Sequence, residues 1–226
     1  MHLLLALNFL KEDDSENSMS LFFHVDEKTI RKYVRHYVGE IASLNLIRLS
    51  DRFSSAPSGC RVLFSIDGTH CPIKEPSRPL DKAYYSHKIR RSALVYEVGL
   101  SIHEGRIVWV AGGVPAGTGD LDLSRATGIL EKIGPNEMIV ADKGYRDDDT
   151  IFLTAITGGQ LNHEEKKYNT WLRQILARQE IVNKRLKHFG VLCKLFRHDE
   201  DFHPLCFKAC AMITQTMLVE EPLHSL

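Results

Sequence analysis

Two aspartates stand in matched positions in this sequence, each after a short apolar run that predicts a buried strand. Asp67 follows the run from Arg61 to Ile66, and Asp142 follows the run from Met138 to Ala141. In open α/β sheets, sites form outside the carboxyl ends of the strands, so two such acids on neighbouring strands suit a divalent cation. Mg²⁺ fits this pattern because it binds through one or two carboxylates and keeps water and phosphate oxygens as its other ligands.

Each aspartate also has a purely structural interpretation. Either one alone is typical of a turn or a helix cap, and Asp142 has an adjacent cation in Lys143. Because an unpaired buried carboxylate is costly, a metal, a partner or water is expected beside each of them. From the residues alone, a shared metal site and two structural aspartates both stay open.

A third candidate acid, Glu180, lies in a long predicted helix from Glu164 to Phe189. Nine Lys or Arg residues and one acid, Glu180, occur between Lys166 and Arg197. The apolar stripe of this segment is formed by Leu172, Ile175, Leu176, Val182, Leu186, Phe189 and Cys193. A basic helix face with one carboxylate suits a site that cleaves phosphodiesters. The alternative is a solvated face with a Glu180–Lys184 pair, worth only about 0.2–0.5 kcal/mol.

The elements that must position these acids alternate between strands and helices. Two β-rich segments, Leu94 to Ile102 and Arg106 to Gly112, flank a turn at residues 103–105 and predict a hairpin. Helices are predicted over residues 121–132 and 203–218. This order indicates a mixed α/β domain and not an all-parallel sheet. In the last helix, His203, Cys206 and Cys210 supply at most three metal ligands and are interpreted as core residues, not as a zinc site.

Residues 1–52 differ from the remainder because they are helical in pattern throughout. The apolar start, residues 1–10, predicts a core-facing helix and not a signal peptide, since it lacks a basic beginning and a cleavage site. Asp26 can cap a helix that begins near Glu27. One face of that helix carries Ile30, Tyr33, Val34, Tyr37, Val38, Ile41 and Leu44, and the other carries Lys28, Arg31, Lys32 and Arg35. A helix-turn-helix that binds DNA and a plain helical cap both fit this pattern.

Composition limits these interpretations without choosing among them. The 226 residues are 43% hydrophobic, and Lys plus Arg equals Asp plus Glu at 29 each, so only local charge clusters can indicate nucleic acid. Five scattered cysteines favour reduced thiols inside a cell over a disulfide framework. Residues 54–59 are the predicted linker between the helical module and the second domain, residues 60–218.

Four segments in order, SIDGTHCPI, AGGVPAGTGDL, MIVADKGY and RQEIVNKRLKHFGVLCKLFRHDEDFHPLCFKACAMITQ, resemble the DDE-type transposases of the PIF/Harbinger superfamily. The resemblance covers roughly residues 60–218 and implies an RNase H-like fold, a mixed sheet flanked by helices. The helical segment before it, residues 1–52, resembles the helix-turn-helix module that precedes such domains.

The resemblance also implies an activity, which is metal-dependent cleavage of DNA phosphodiesters. Its catalytic and metal-binding acids map onto Asp67, Asp142 and Glu180, which would hold two Mg²⁺ or Mn²⁺ ions. Asp120 falls at a position that is commonly acidic in the family; it either assists the site or caps the next helix, and we expect the cap. The expected DNA contacts are Lys28, Arg31, Lys32, Arg35, Arg173, Lys184 and Lys187, with Lys143 and His70 as further candidates.

The expected partners are DNA, a second copy of the chain and a Myb-like DNA-binding protein, in the nucleus of a eukaryotic host and without a membrane. A catalytically silent DNA-binding or scaffold protein of transposase origin is the alternative from another class. Three intact acids favour the nuclease, because a scaffold has no need of them. An unrelated metal-dependent phosphohydrolase is a third possibility, and Arg31 and Lys32 argue against it.

Overall fold

The computed structural model describes residues 2–75, 82–146, 151–224 and 226. The helices in these ranges are α1 (His2–Glu12), α2 (Glu16–Phe23), α3 (Glu27–Ser43), α4 (Asp120–Thr127), α5 (His163–Leu186), α6 (Gly190–Cys193) and α7 (His203–Glu220). The strands are β1 (Val62–Pro72), β2 (Tyr85–Ser86), β3 (Arg91–Ser101), β4 (Ile107–Pro115), β5 (Met138–Val140) and β6 (Phe152–Leu153).

The strands form one mixed sheet, as the sequence predicts. β3 pairs antiparallel with β1 and with β4, so the expected hairpin is confirmed. On the other side of β1, β5 is parallel to β1 and β6 is parallel to β5. Helices α4, α5, α6 and α7 pack against this sheet, whereas α1, α2 and α3 pack on other helices. No helix of the described residues is both long and apolar enough to cross a membrane.

The strand that carries Asp67 extends beyond the predicted run. β1 continues to Pro72, and Asp67 lies in its middle, opposite Val98 of β3. The prediction that Asp67 ends its strand was therefore wrong, because antiparallel pairing with β3 holds the segment after Ile66 in an extended conformation. Of the two aspartates, only Asp142 follows the end of a strand, because β5 stops at Val140, which is paired with Ser65 of β1.

Helix α5 lies over the sheet and begins with a capping box between Asn162 and Glu165. Its buried residues are Leu172, Ile175, Arg178, Gln179, Val182 and Leu186. Gln179 connects two strands, since its amide donates to Val98 O at 3.1 Å and accepts from Ser65 Oγ at 2.8 Å. The predicted stripe was wrong at Cys193, which is exposed beyond the end of the helix.

Two further helices differ from the expected lengths or faces. α4 ends at Thr127 and not at residue 132, because Gly128 adopts the left-handed conformation with φ 71°. On α3, Asp26 is confirmed as the N-cap through bonds from the backbone of Lys28 and Thr29. Leu44 follows the end of α3 and is 49% exposed, so it does not extend the buried face.

The N-terminal and C-terminal helices share one hydrophobic cluster. Leu5 and Phe9 of α1 and Ile30 of α3 belong to the same buried cluster as Phe207 and Met212 of α7. The prediction of α1 as a core-facing helix is therefore confirmed. His203, Cys206 and Cys210 are buried, and His203 Nδ1 lies 2.7 Å from the Tyr96 hydroxyl, which confirms their interpretation as core residues.

Replacement of Gln179 by Ala would leave Ser65 and Val98 O without their partner in the buried layer between α5 and the sheet. We expect a loss of about 1–3 kcal/mol in the free energy of unfolding, measured by denaturant titration. Gln174→Ala, on the exposed side of the same helix, is the control and should change it by less than about 0.5 kcal/mol. Equal denaturation midpoints for the two variants would contradict the assigned role of Gln179.

Candidate active site

The pairing of β1 with β5 brings Asp67 and Asp142 to the same level of the sheet. Ser65 is paired with Val140, and each aspartate lies two residues further along its own chain. Asp142 is still extended, with φ −73° and ψ 172°, before the short helix Lys143–Tyr145 begins. Asp67 is half-buried and Asp142 is exposed. Asp142 thus lies just past the strand that neighbours β1, at the level of Asp67.

Asp120 lies at the same place, and the prediction that it caps a helix was wrong. Gly119 is the N-cap of α4, and Asp120 is the first helical residue. A Cβ built at Gly144 would lie 2.9 Å from Asp120 Cγ and closer still to Oδ2, and one built at Gly68 would lie 3.3 Å from Oδ1. The carboxylate of Asp120 therefore fits between the glycine after Asp67 and the glycine two residues after Asp142.

The three aspartates interact electrostatically. The pKa of Asp67 is raised chiefly by burial and also by Asp120, and it is lowered by Lys88 and by a 2.7 Å hydrogen bond from the Asn183 amide. Burial and the charge of Asp142 raise the pKa of Asp120, whereas Lys88 lowers it. Negative charge is thus concentrated at the end of β5, where a cation would relieve the repulsion.

Glu180 approaches this site from α5. It is exposed and lines the same cavity as Asp67, with a volume of about 450 Å³. Asn183, one turn later on α5, also lines the cavity and donates to Asp67. The other amide atom, Asn183 Oδ1, is buried and has no hydrogen-bond partner among the described residues. α5 therefore contributes a carboxylate to the cavity and, beside it, a buried amide oxygen that has no partner among the described residues.

The basic residues predicted to contact DNA fall into three groups, which are ion-paired, bound to backbone carbonyls, or exposed. Arg31 is paired with Glu16, and Arg35 is paired with Asp199. Lys187 is half-buried and donates to His70 O, and Leu192 O lies 3.4 Å from its ammonium. Of the predicted residues, Lys184 lines the cavity and is exposed, and Lys28, Lys32, Lys143 and Arg173 are exposed elsewhere.

His70 lines the cavity as a neutral side chain at physiological pH. Burial, together with Lys88 and Lys187, lowers its pKa to about 4. Its Nδ1 lies 3.0 Å from Ser86 Oγ, so the ring is engaged with the protein. A neutral imidazole offers a hydrogen bond but no positive charge to a phosphate.

Sequence reasoning missed four residues of this region. Lys88 and Asn183 line the cavity, and Tyr145 and Glu97 are buried beneath it. Glu97 accepts bonds from Ser124, Thr127 and Trp109, which ties α4 to the sheet and so fixes Asp120. The signal for Asn183 was its position one turn after Glu180. The signal for Glu97 was a single acid inside an apolar strand.

The donor types at the site suit a hard divalent cation, since carboxylate and amide oxygens are the ligands that Mg²⁺ and Ca²⁺ take. Within the described ranges, no group of three or more His, Cys, Asp or Glu side chains is placed to hold a metal ion. The aspartates are therefore electrostatic neighbours in this conformation and do not form a closed coordination shell. The oxygen donors are thus of the type that a divalent cation binds, but the described side chains are not arranged to coordinate one.

A mixed α/β fold with aspartates gathered at the end of a short parallel strand is compatible with metal-assisted phosphoryl chemistry. The model of the DDE superfamily endonuclease family matches residues 66–215, and the chain belongs to this family. A probable transposase for insertion sequence element IS702 from Microchaete diplosiphon is 28% identical over 142 residues. That alignment covers 60% of this chain and 50% of the relative, so the chain spans about half the length of the curated relative it matches.

Replacement of Gly144 by Ala would force a methyl group into the Asp120 carboxylate. We expect the free energy of unfolding to fall by about 1–3 kcal/mol, measured by denaturant titration, because the added Cβ would overlap the Asp120 side chain and force it or its helix to shift. Gly39→Ala is the control, since its Cβ would meet nothing closer than 4.0 Å.

A double-mutant cycle tests the contact itself. In an Asp120→Ala background the Gly144→Ala substitution should cost measurably less, with an interaction energy of at least about 0.5 kcal/mol. Additive effects of the two substitutions would show that Asp120 does not lie against Gly144.

Proposed function

We propose that this protein is a divalent-metal-dependent DNA endonuclease of the transposase type, with Asp67, Asp142 and Glu180 as its catalytic and metal-binding acids. The observation that carries the proposal is the register of β1 and β5, which places Asp67 and Asp142 two residues past the same strand pair. The family match supports it because the matched segment, residues 66–215, contains all three acids. A catalytically silent descendant is not favoured.

Two Mg²⁺ or Mn²⁺ ions are the proposed cofactors. When bound, they supply an activated attacking oxygen and stabilise the leaving oxygen of an in-line displacement. Asp67, Asp142 and Glu180 would hold them, and Asp120 is an auxiliary acid at the same place. Asn183 orients the Asp67 carboxylate through its amide, in the manner of the outer-shell partners that fix metal ligands.

The proposed substrate is DNA. Exposed Lys184 at the cavity and Arg173 further up α5 are the nearer contacts, with Lys187 in a structural as well as an electrostatic role. Residues 1–52 form the proposed helix-turn-helix module, in which Lys28 and Lys32 are the exposed cations free of the ion pairs that engage Arg31 and Arg35. Residues 60–218 form the proposed RNase H-like nuclease domain.

The finer assignments belong to the same proposal. A mixed sheet flanked by helices supports the RNase H-like fold, and the four ordered motifs support the PIF/Harbinger subfamily. Assembly as a homo-oligomer and cooperation with a Myb-like DNA-binding protein follow from that subfamily. A nuclear location follows for a eukaryotic host, whereas the relative reported above is from Microchaete diplosiphon.

Cleavage of a labelled DNA duplex by the purified chain tests the proposal. We expect cutting with Mg²⁺ or Mn²⁺ that stops with EDTA, and we expect Asp142→Asn to lower the rate by more than about 100-fold, since loss of an outer-shell partner alone costs 10–100-fold. Asp122→Asn removes the same charge from an exposed position on α4 and should leave the rate unchanged.

Three results would contradict the proposal. They are the absence of cutting with either metal, cutting that survives EDTA, and equal loss of rate in the Asp142 and Asp122 variants. Folding of each variant is checked by its thermal transition, so that a loss of rate is not a loss of structure.

A further inference from the structure

Lys88 is a cation beside the proposed site that the sequence motifs do not indicate. It lies in the turn between β2 and β3, at residues 87–90, and lines the same cavity as Asp67, Glu180 and Lys184. The side chain is exposed and has no hydrogen bond or ion pair within the described ranges. Its ammonium group is therefore available to an incoming ligand.

The turn that carries Lys88 is anchored on both sides. The backbone N–H of Arg90 donates to Ser86 O at 2.7 Å, and that of Ile89 donates to Ser86 Oγ at 3.3 Å. Ser86 Oγ also lies 3.0 Å from His70 Nδ1 on β1. The Ile89 side chain packs against a buried cluster that includes Val95 and Leu123. The position of Lys88 is thus set by the same strand that carries Asp67.

The charge of Lys88 acts directly on the acids of the site. After burial, it is the strongest influence on the pKa of Asp67 and of Asp120, and it lowers both. Lys88 also contributes, after burial, to the lowered pKa of His70.

The other cations that line the cavity differ in availability. Lys187 is bound to backbone carbonyls, whereas Lys184 is exposed on α5. A polyanion approaching the aspartates meets repulsion, and an exposed ammonium beside them offsets it locally. Lysine suits this role because it binds phosphate as a point charge without a fixed orientation.

We propose that Lys88 binds a DNA backbone phosphate at the cavity and thereby holds the strand against the acids of the site. This inference rests on the proposed function, because it takes DNA as the substrate. Lys88 is a substrate-binding residue in this proposal, and Lys184, which lines the same cavity from α5, is a second contact. The turn between β2 and β3 is then part of the DNA-binding surface.

The test is the salt dependence of DNA binding, measured with a fluorescently labelled duplex in EDTA so that cleavage does not occur. The slope of log K against log salt concentration is negative. Loss of one phosphate contact makes it less steep by about 0.9. We expect this change in Lys88→Ala, with affinity about tenfold weaker at low salt. Lys88→Arg keeps the charge, so its salt slope and its affinity should both stay close to those of the wild-type protein.

Arg91→Ala is the matched control, because it removes one positive charge three residues away and outside the cavity. It should leave the slope within about 0.3 of that of the wild-type protein. Equal slopes for Lys88→Ala and wild type, in a protein that binds and cuts DNA, would overturn the role of Lys88 and leave the nuclease proposal standing. If the wild-type protein binds no DNA, the proposed function fails and this inference fails with it.

Discussion

The parallel pairing of Ser65 with Val140 is the contact on which the candidate site depends. β5 is only three residues long, and it is held between β1 and β6. Because parallel strands run with the same sense, two acids placed equally far past the pair come to the same edge. A one-residue slip in this register would move Asp67 and Asp142 apart and turn their side chains to opposite faces. The short strand therefore has a positional role far larger than its contribution to the core.

A buried carboxylate, Glu97, holds the helix that carries Asp120, the third acid of the site. Glu97 is fully buried and has no ion pair among the described residues, and burial raises its pKa, but Ser124, Thr127 and Trp109 all donate to it. Such satisfaction is what makes a polar group tolerable in a core. Since Ser124 and Thr127 belong to α4, these bonds hold α4 against the sheet and so help to position Asp120 at its first turn.

The sequence alone predicted the features that follow from local residue patterns, namely apolar runs and helix caps. Apolar runs before Asp67 and Asp142 predicted the strands, and the capping position of Asp26 followed from local chemistry. The extent of β1 could not be predicted, because the segment after Asp67 is extended by its pairing with β3 and not by its own composition. The ion pair of Arg35 with Asp199 could not be predicted for a similar reason, because a basic helix face does not indicate which acid, distant in sequence, will lie beside it.

The site is held tightly on one side and is open on the other. Asp67 and Asp120 are fixed by the sheet, by two glycines and by α4, whereas Glu180 and Lys184 are exposed on α5. A rod-like substrate cannot enter a closed pocket, so on the proposed function the open wall is where a duplex would lie. The nearly equal numbers of acidic and basic residues in the chain are then compatible with a polyanionic substrate. Affinity depends on which cations face the open wall and not on the total charge.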